Sequence, residues 1–222
     1  MSGKISASLM CADLLNLEKD IRRLENLGVE YLHLDFMDGQ FVPNITFGTS
    51  FVRACRKVVD TMKLDIHIMG YVPEQYFDKM EIGEGDLVSF HYEACENQHE
   101  VIAMIRERGA SPLLAISPDT PVSVLEEFLD EIDGVLIMTV YPGDSGKPLV
   151  PGSFEKLAAT RKLLDDHGKT DMPVEVDGCV SWVNTPHMRD AGTDLYVTGS
   201  SSIFQKDSTY EETVPKFREI IG

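Results

Sequence analysis

The stretch that decides the fold is Tyr31-Leu-His-Leu-Asp-Phe-Met-Asp-Gly39, an apolar run with polar side chains near its end. Side chains two residues apart on a β-strand point to the same face, so the pattern predicts a strand on which His33 and Asp35 reach one space together. Two other apolar runs resemble it, with His67 in Leu64-Asp-Ile-His-Ile-Met69 and Asp177 in Pro173-Val-Glu-Val-Asp-Gly178.

These four polar residues allow two interpretations. A single His or Asp in an apolar run is most simply explained as a polar group that finds its partner inside the core. Four of them at corresponding strand ends favour a shared site, because imidazole and carboxylate groups suit a divalent ion such as zinc, iron, manganese or cobalt. The sequence therefore predicts one such metal ion per chain, with four ligands: His33, Asp35, His67 and Asp177.

Apolar runs alternate with helical patterns over the whole chain. Short runs rich in Val, Ile, Leu or aromatic residues are typical of parallel strands covered on both faces, and they predict strands over 4–10, 31–38, 63–69, 86–92, 113–117, 134–140, 174–176 and 195–198. Apolar residues at helical spacing predict helices over 14–27, 50–59, 74–80, 99–108, 122–132, 154–167, 185–190 and 210–221.

Eight β–α pairs thus follow one another with no linker and no break in composition. Strict alternation implies a parallel sheet with right-handed crossovers, and eight repeats in 222 residues favour a single (β/α)8 TIM barrel of the α/β class, one catalytic domain over 1–222. An open flavodoxin-like sheet is the alternative, but it usually needs fewer units. In a barrel, catalytic groups gather at the C-terminal ends of the strands, which is where the four polar residues lie.

The overall composition narrows the range of partners. A net charge of −17 repels nucleic acid and anionic membranes, so neither is expected as a partner. No segment is long and apolar enough to span a bilayer or to act as a signal peptide. The cysteines are widely spaced and are interpreted as free thiols of a cytoplasmic protein: Cys11, Cys55, Cys95 and Cys179.

A longer motif carries a resemblance to a known family. The run His33-Leu-Asp-Phe-Met-Asp-Gly-Gln-Phe-Val-Pro-Asn44 resembles the signature of the ribulose-phosphate 3-epimerase family. Further matches follow in the family's order: Ala7-Ser-Leu-Met10, Leu64-Asp-Ile-His-Ile-Met69, Phe90-His-Tyr-Glu-Ala94, Met138-Thr-Val-Tyr-Pro-Gly143, Val176-Asp-Gly178 and Gly199-Ser200. Within the family, the stretches 8–15 and 138–140 are more similar to the allulose-6-phosphate 3-epimerases than to the pentulose enzymes.

The resemblance implies a metal-dependent isomerase that inverts C3 of a phosphorylated ketose. The substrate pair is D-allulose 6-phosphate and D-fructose 6-phosphate, or D-ribulose 5-phosphate and D-xylulose 5-phosphate. The family's ligands fall on the four residues above, and its acid/base pair falls on Asp35 and Asp177. Such chemistry needs two proton carriers on opposite sides of a planar enediolate. Association into a homo-oligomer is also expected from the resemblance.

The resemblance further implies a set of substrate-contacting residues. Ser8, His67 and the methionines Met37, Met69 and Met138 are expected around the sugar. The loops after strands six, seven and eight are expected to hold the phosphate through Gly143, Gly146, Gly178, Gly199 and Ser200. Asp144, Ser145 and Cys179 of the same loops are also expected to contact the substrate. Independently of the resemblance, His91 and Glu93 stand at the end of the fourth predicted strand and are expected to border the site in a supporting or structural role.

One loop departs from the family pattern. Gly143-Asp-Ser-Gly-Lys147 stands where relatives have a glycine-rich run, so the Asp144 carboxylate repels a phosphate unless it points to solvent. Cys179 likewise replaces a small polar residue or glycine. These departures put the identity of the substrate in question more than the chemistry, because all four ligands are present.

Other functions compete with this interpretation. A phosphate-binding aldolase or decarboxylase that forms a Schiff base needs a lysine at a strand end, whereas Lys4 and Lys63 stand at strand starts. Metal-dependent hydrolysis fits the ligands but not the paired carboxylates. A non-catalytic barrel that binds a sugar phosphate, or an epimerase of an unphosphorylated ketose, is favoured only by Asp144.

Overall fold

Parallel strands close into a barrel in this computed structural model, which describes residues 2–143 and 146–222. The strands pair in chain order and β8 pairs with β1, so the sheet has no free edge. Their bounds are β1 Lys4–Ser8, β2 Tyr31–Met37, β3 Lys63–Met69, β4 Leu87–His91, β5 Ser111–Ile116, β6 Gly134–Met138, β7 Val174–Asp177 and β8 Leu195–Thr198. The predicted (β/α)8 barrel is confirmed.

Helices cover the outside of the barrel. Their bounds are α1 Leu17–Asn26, α2 Thr49–Arg56, α3 Gln98–Glu107, α4 Ser153–Asp166, α5 Thr185–Asp190 and α6 Tyr210–Ile221. The main core lies between these helices and the outward faces of the strands, where residues such as Leu32, Leu34 and Ile66 are fully buried. Within the described ranges, no helix combines the length and apolarity needed to cross a bilayer.

Two of the predicted helices are 3-10 helices instead. The segments predicted over 74–80 and 122–132 form 3-10 helices over Pro73–Lys79 and Val122–Phe128. In the second, the apolar residues Val122, Leu125 and Phe128 recur every three positions, which fits a helix of three residues per turn. The β-branched Val122 and Val124 also disfavour the α-helix.

The first helix begins later than its apolar pattern suggests. Residues from 14 onward were expected to be helical, but α1 starts at Leu17. The Asp13 carboxylate accepts hydrogen bonds from the Leu15 backbone N–H at 3.1 Å and the Asn16 side chain at 2.7 Å, and so stabilises a turn. Leu14 and Leu15 therefore lie exposed on the surface rather than on a buried helix face.

The inside of the barrel is polar over much of its length. On β2 and β3, alternation turns His33, Asp35, Asp65 and His67 inward, and all four are buried. Glu175 on β7 is fully buried at the same depth as His33 and Asp65. Buried charge of this density is costly unless the groups are paired or bind an ion, so the interior itself points to function.

A carboxylate on the outside of the barrel, that of Glu25, offers a test of the fold. Glu25 on α1 accepts hydrogen bonds from the backbone N–H groups of Asp60, Thr61 and Met62 at 2.5–3.0 Å, and so anchors the turn before β3. Burial raises the pKa of Glu25, but these hydrogen bonds outweigh it and the pKa lies below its ordinary value. The ionised carboxylate therefore stabilises the folded state.

We expect Glu25→Ala to lower the free energy of unfolding at pH 7 by about 2 kcal/mol, since hydrogen bonds to a charged group are lost. Because the folded pKa is the lower one, the stabilisation is complete above the pKa of the unfolded chain, about 4.3, and is lost as the pH falls through the folded pKa. Urea unfolding of both proteins between pH 7 and pH 3 measures this. A difference that stays constant over that range contradicts the assignment.

Candidate metal and substrate site

Four side chains from three strands converge at the carboxyl end of the barrel. His33 and Asp35 come from β2, His67 from β3 and Asp177 from β7, and one ligand atom of each lies within 4.8 Å of the others. His33 Nε2 is 3.3 Å from Asp35 Oδ1, and His67 Nδ1 is 3.5 Å from Asp177 Oδ2 and 3.7 Å from Asp35 Oδ1. The structure thus brings together the residues that the sequence analysis predicted.

The donor set fits a divalent transition metal. His33 Nε2 and His67 Nδ1 are buried and have no hydrogen-bond partner among the described residues. An unpaired buried polar atom costs about 1–3 kcal/mol, yet both nitrogens face the point where carboxylate oxygens of Asp35 and Asp177 lie. Two imidazole nitrogens and two carboxylate oxygens are a suitable set for zinc, iron, manganese or cobalt.

A buried carboxylate orients the first histidine. Asp65 Oδ2 lies 2.6 Å from His33 Nδ1 and also accepts a hydrogen bond of 2.6 Å from the Ser6 hydroxyl. With Nδ1 protonated toward this carboxylate, His33 keeps a lone pair on Nε2 for a metal. Burial raises the pKa of the neighbouring Glu175 well above its ordinary value, and the charge of Asp65 raises it further.

Asp65 and Glu175 were not predicted as part of the site, although the sequence contains a signal for both. Asp65 precedes His67 by two residues, and Glu175 precedes Asp177 by two. Spacing of two on a strand places each acid on the same face as the ligand that follows it. The rule that paired His33 with Asp35 therefore also indicates the acids beneath the candidate metal ligands.

Asp35 is held as a carboxylate. Burial raises its pKa, but the positive charge of protonated His33 and His67 rings outweighs this effect and lowers the pKa of Asp35 well below its ordinary value; a cation bound between them would act in the same direction. Its Oδ1 faces the two histidines, whereas its Oδ2 accepts a hydrogen bond of 2.8 Å from the Ser8 hydroxyl. The two oxygens of Asp35 therefore have different surroundings.

A cavity opens above the four residues. Asp35 and Asp177 line it, together with most of the predicted substrate-contacting residues: Ser8, Met37, Met69, Met138, Gly143, Gly146, Gly178, Cys179, Gly199 and Ser200. Asp144 and Ser145 lie outside the described residues. His67 is fully buried beneath the lining, which suits a metal ligand better than a substrate contact. Lys147, from the loop that departs from the family pattern, also lines the cavity, as do Met10, Cys11 and Tyr141, which were not expected there.

The methionines form apolar walls of this cavity. Met37 and Met69 pack with Val42, and Met138 packs with Val140 in a separate cluster. The three thioethers are buried except where they meet the cavity. Such walls limit the access of water to whatever lies above the carboxylates.

The turn after β7 has a conformation that the sequence there only partly indicates. Gly178 has a φ of +110°, and a Cβ there lies only 2.7 Å from Val140 Cγ2 and 2.8 Å from the Val140 nitrogen, so only glycine fits. Cys179 is left-handed as well, with a φ of 51°. The Asn184 side chain stabilises this turn by donating to the Cys179 carbonyl at 2.9 Å. The turn thus brings backbone close to the cavity beside Asp177.

The comparisons with known proteins agree with the motif. The ribulose-phosphate 3 epimerase family model matches residues 4–204. A ribulose-phosphate 3-epimerase of Bacillus subtilis is 38% identical over 92% of this chain and 94% of its own length. That of Schizosaccharomyces pombe is 36% identical over 100% of this chain and 95% of its own length.

Solved structures show the same barrel at much lower identity. The alignment with orotidine 5'-monophosphate decarboxylase from Methanocaldococcus jannaschii covers 100% of both chains, with a TM-score of 0.66 and 14% identity. 3-Hexulose-6-phosphate synthase also covers both fully, with a TM-score of 0.64 and 13% identity. These likenesses concern the fold alone, whereas the sequence matches reach further: this chain belongs to the ribulose-phosphate 3-epimerase family.

Proposed function

We propose that this protein is a metal-dependent 3-epimerase that interconverts D-ribulose 5-phosphate and D-xylulose 5-phosphate. One observation carries the proposal: carboxylates from β2 and β7 meet two histidines at the floor of a cavity, in a chain of this family. The relatives described above are named for the pentulose phosphate. Epimerisation of D-allulose 6-phosphate is the second candidate, favoured by the residues at 8–15 and 138–140.

The metal is assigned to His33, Asp35, His67 and Asp177. When bound, a divalent ion supplies a Lewis acid that offsets the negative charge developing on the ketose oxygens. His33 Nε2 and His67 Nδ1 have no hydrogen-bond partner in the part of the chain that the structure describes, which supports this assignment. The ordinary affinities of imidazole and carboxylate leave the choice among zinc, iron, manganese and cobalt to experiment.

Asp35 and Asp177 are assigned as the two proton carriers at C3. They come from strands on different sides of the barrel mouth, since β8 and β1 lie between β7 and β2. Asp35 removes or returns the proton through Oδ2, the oxygen next to the Ser8 hydroxyl and turned away from the histidines. Asp177 serves the opposite face through Oδ1, because its Oδ2 faces His67. Inversion at C3 follows when one aspartate removes a proton and the other delivers one.

Other lining residues are assigned to the substrate. The methionine walls keep water from the planar intermediate, and the turns at Gly178 and Gly199, which line the cavity, are assigned to the phosphate. Among the described residues that line the cavity, Lys147 alone carries a positive charge. In a protein of net charge −17, this local cation and the metal provide the attraction that a sugar phosphate needs.

The test is a comparison of kcat/KM for D-ribulose 5-phosphate, D-allulose 6-phosphate and the two unphosphorylated sugars. We expect D-ribulose 5-phosphate to be preferred, and both phosphates to exceed their sugars by about a hundredfold or more, as a charge-assisted contact of roughly 3 kcal/mol implies. A preference for D-allulose 6-phosphate changes the assigned substrate but leaves the proposed epimerisation at C3 in place. Preference for an unphosphorylated sugar overturns the phosphate site, and no epimerisation of any of them favours a binding protein.

A further inference from the structure

A second buried histidine stands behind the metal ligand His67. His91 ends β4 and is fully buried, and its Nε2 lies 2.9 Å from His67 Nε2. Its Nδ1 lies 3.1 Å from Glu93 Oε2. Glu93, His91 and His67 therefore form a continuous chain of hydrogen bonds that ends at the point where the four ligand atoms meet.

The direction of these hydrogen bonds follows from Glu93. Its Oε1 accepts a hydrogen bond from the Ser117 backbone N–H at 2.8 Å and another from the Thr120 hydroxyl. Burial raises the pKa of Glu93, but the hydrogen bonds from His91 and Thr120 outweigh it and lower the pKa to about 2. An ionised carboxylate only accepts hydrogen bonds, so the proton between Glu93 and His91 belongs to His91 Nδ1.

The next link is decided by the proton count of His91. A neutral imidazole has one N–H and one lone pair, and here the N–H is used on Glu93. The Nε2 atom of His91 is then an acceptor, so His67 must donate from its own Nε2. The lone pair of His67 is thereby left on Nδ1, the atom that faces Asp35 and Asp177 and has no hydrogen-bond partner among the described residues.

We propose that Glu93 and His91 are positioning residues that fix the tautomer of His67 and so present its Nδ1 lone pair to the metal. The proposal rests on the function proposed above, in which His67 is a ligand. It gives His67 the same kind of support that Asp65 gives His33. Neither Glu93 nor His91 lines the cavity, so neither touches a substrate there, and their positioning effect passes through His67.

Replacing Glu93 by glutamine is expected to reverse the direction of the hydrogen bonds from residue 93 through His91 to His67. In Glu93→Gln, the amide oxygen must remain on the Ser117 N–H, because a backbone N–H cannot become an acceptor. The amide NH2 then faces His91 Nδ1, which has to accept. His91 consequently donates from Nε2 to His67 Nε2, and the proton of His67 moves to Nδ1, where it blocks the metal.

The experiment measures the affinity of the metal-free protein for Zn²⁺ by competition with a chromogenic chelator. We expect Glu93→Gln to weaken Zn²⁺ binding about 10–100-fold, the usual effect of removing a hydrogen-bond partner behind a metal ligand. The matched control is Glu131→Gln, which alters an exposed Glu–His pair with His99 and leaves the affinity unchanged. Loss of a negative charge near the metal is a competing cause and needs its own control.

A double-mutant cycle with His91→Phe provides that control. Phenylalanine keeps the ring but cannot transmit a proton position, so Glu93→Gln should change Zn²⁺ affinity less than about twofold in this background. An equal loss in both backgrounds means that charge, not the tautomer, is responsible, and it overturns the proposal. So does an unchanged affinity in Glu93→Gln itself.

A second measurement covers the case in which His91→Phe fails to fold. Long-range ¹H–¹⁵N spectra of histidine-labelled wild-type protein should show a proton on His67 Nε2 and none on His91 Nε2. A proton on His91 Nε2 overturns the proposal. Failure of this proposal can be distinguished from failure of the proposed function. If the wild-type protein binds Zn²⁺ and epimerises the ketose phosphate, the proposed function stands whichever tautomer of His67 is found.

Discussion

Asp35→Asn and Asp177→Asn are expected to abolish the exchange of the C3 proton with solvent. Asparagine keeps the shape of the side chain and an oxygen that can face a metal, but it cannot take up a proton at C3. Positioned acid–base groups contribute roughly 10²–10⁴-fold to a rate, and both faces of the intermediate require one. We therefore expect kcat to fall by about a thousandfold or more in each variant, measured as deuterium incorporation at C3 in D₂O.

The matched control for this experiment is Asp194→Asn. Asp194 accepts a hydrogen bond of 3.0 Å from the Val174 backbone, at the opposite end of the barrel from the site. This variant should lose stability but keep its rate of exchange. Zinc content measured on all three variants separates a lost proton carrier from a lost ligand. Wild-type exchange in Asp35→Asn or Asp177→Asn refutes the role of that residue.

Removal of the metal is expected to have an effect of similar size. Stabilisation of developing charge by a bound cation is worth several kcal/mol, and about 4 kcal/mol corresponds to roughly a thousandfold in rate. Dialysis against a chelator should thus lower epimerase activity by about that factor, and added zinc, iron, manganese or cobalt should restore it. Because the ion binds the folded chain, it should also raise the melting temperature.

His33→Gln and His99→Gln form a matched pair for this test. His33 is a fully buried ligand, whereas His99 is an exposed residue that pairs with Glu131. The first variant should lose both the recovery by metal and the rise in melting temperature, and the second should keep both. Full activity of chelator-treated wild-type protein, with metal content below one-tenth of the chain concentration, contradicts the proposed role of the ion.

The barrel could be predicted from the sequence because its signals are local and repeated. Apolar runs alternate with helical spacing along the whole chain, and closure needs no information beyond the number of units. The type of helix formed by the segments that cover the barrel was less predictable. A spacing of three between Val122, Leu125 and Phe128 suits both an α-helix and a 3-10 helix, and only packing on the barrel decides between them.

The convergence of His33, Asp35, His67 and Asp177 could be predicted because these residues lie near the ends of strands that finish at one rim of the barrel. The side chains that hold these residues by hydrogen bonds depend on which strands become neighbours. Asp65 reaches His33 from β3, and His91 reaches His67 from β4, across a register that no single strand reveals. Lys147 in the cavity lining could not be assigned either, since its loop departs from the family pattern. The homo-oligomer and the cytoplasmic location stay predictions.

The polar interior also gives each ring nitrogen of His33 and His67 its own surroundings. His33 meets Asp65 below and the metal position above, so its two nitrogens have distinct roles. His67 has the same division between His91 and the metal position. Each ring needs a fixed tautomer, and each tautomer is set by a buried neighbour on an adjacent strand.

The most direct test of the account is an anomalous difference map from crystals of the protein loaded with zinc or cobalt. One strong peak is predicted at the floor of the cavity, in contact with His33 Nε2, His67 Nδ1 and an oxygen each of Asp35 and Asp177. A peak at any other position, or the absence of a peak from crystals grown with excess metal, contradicts the claim that these four residues form the catalytic metal centre.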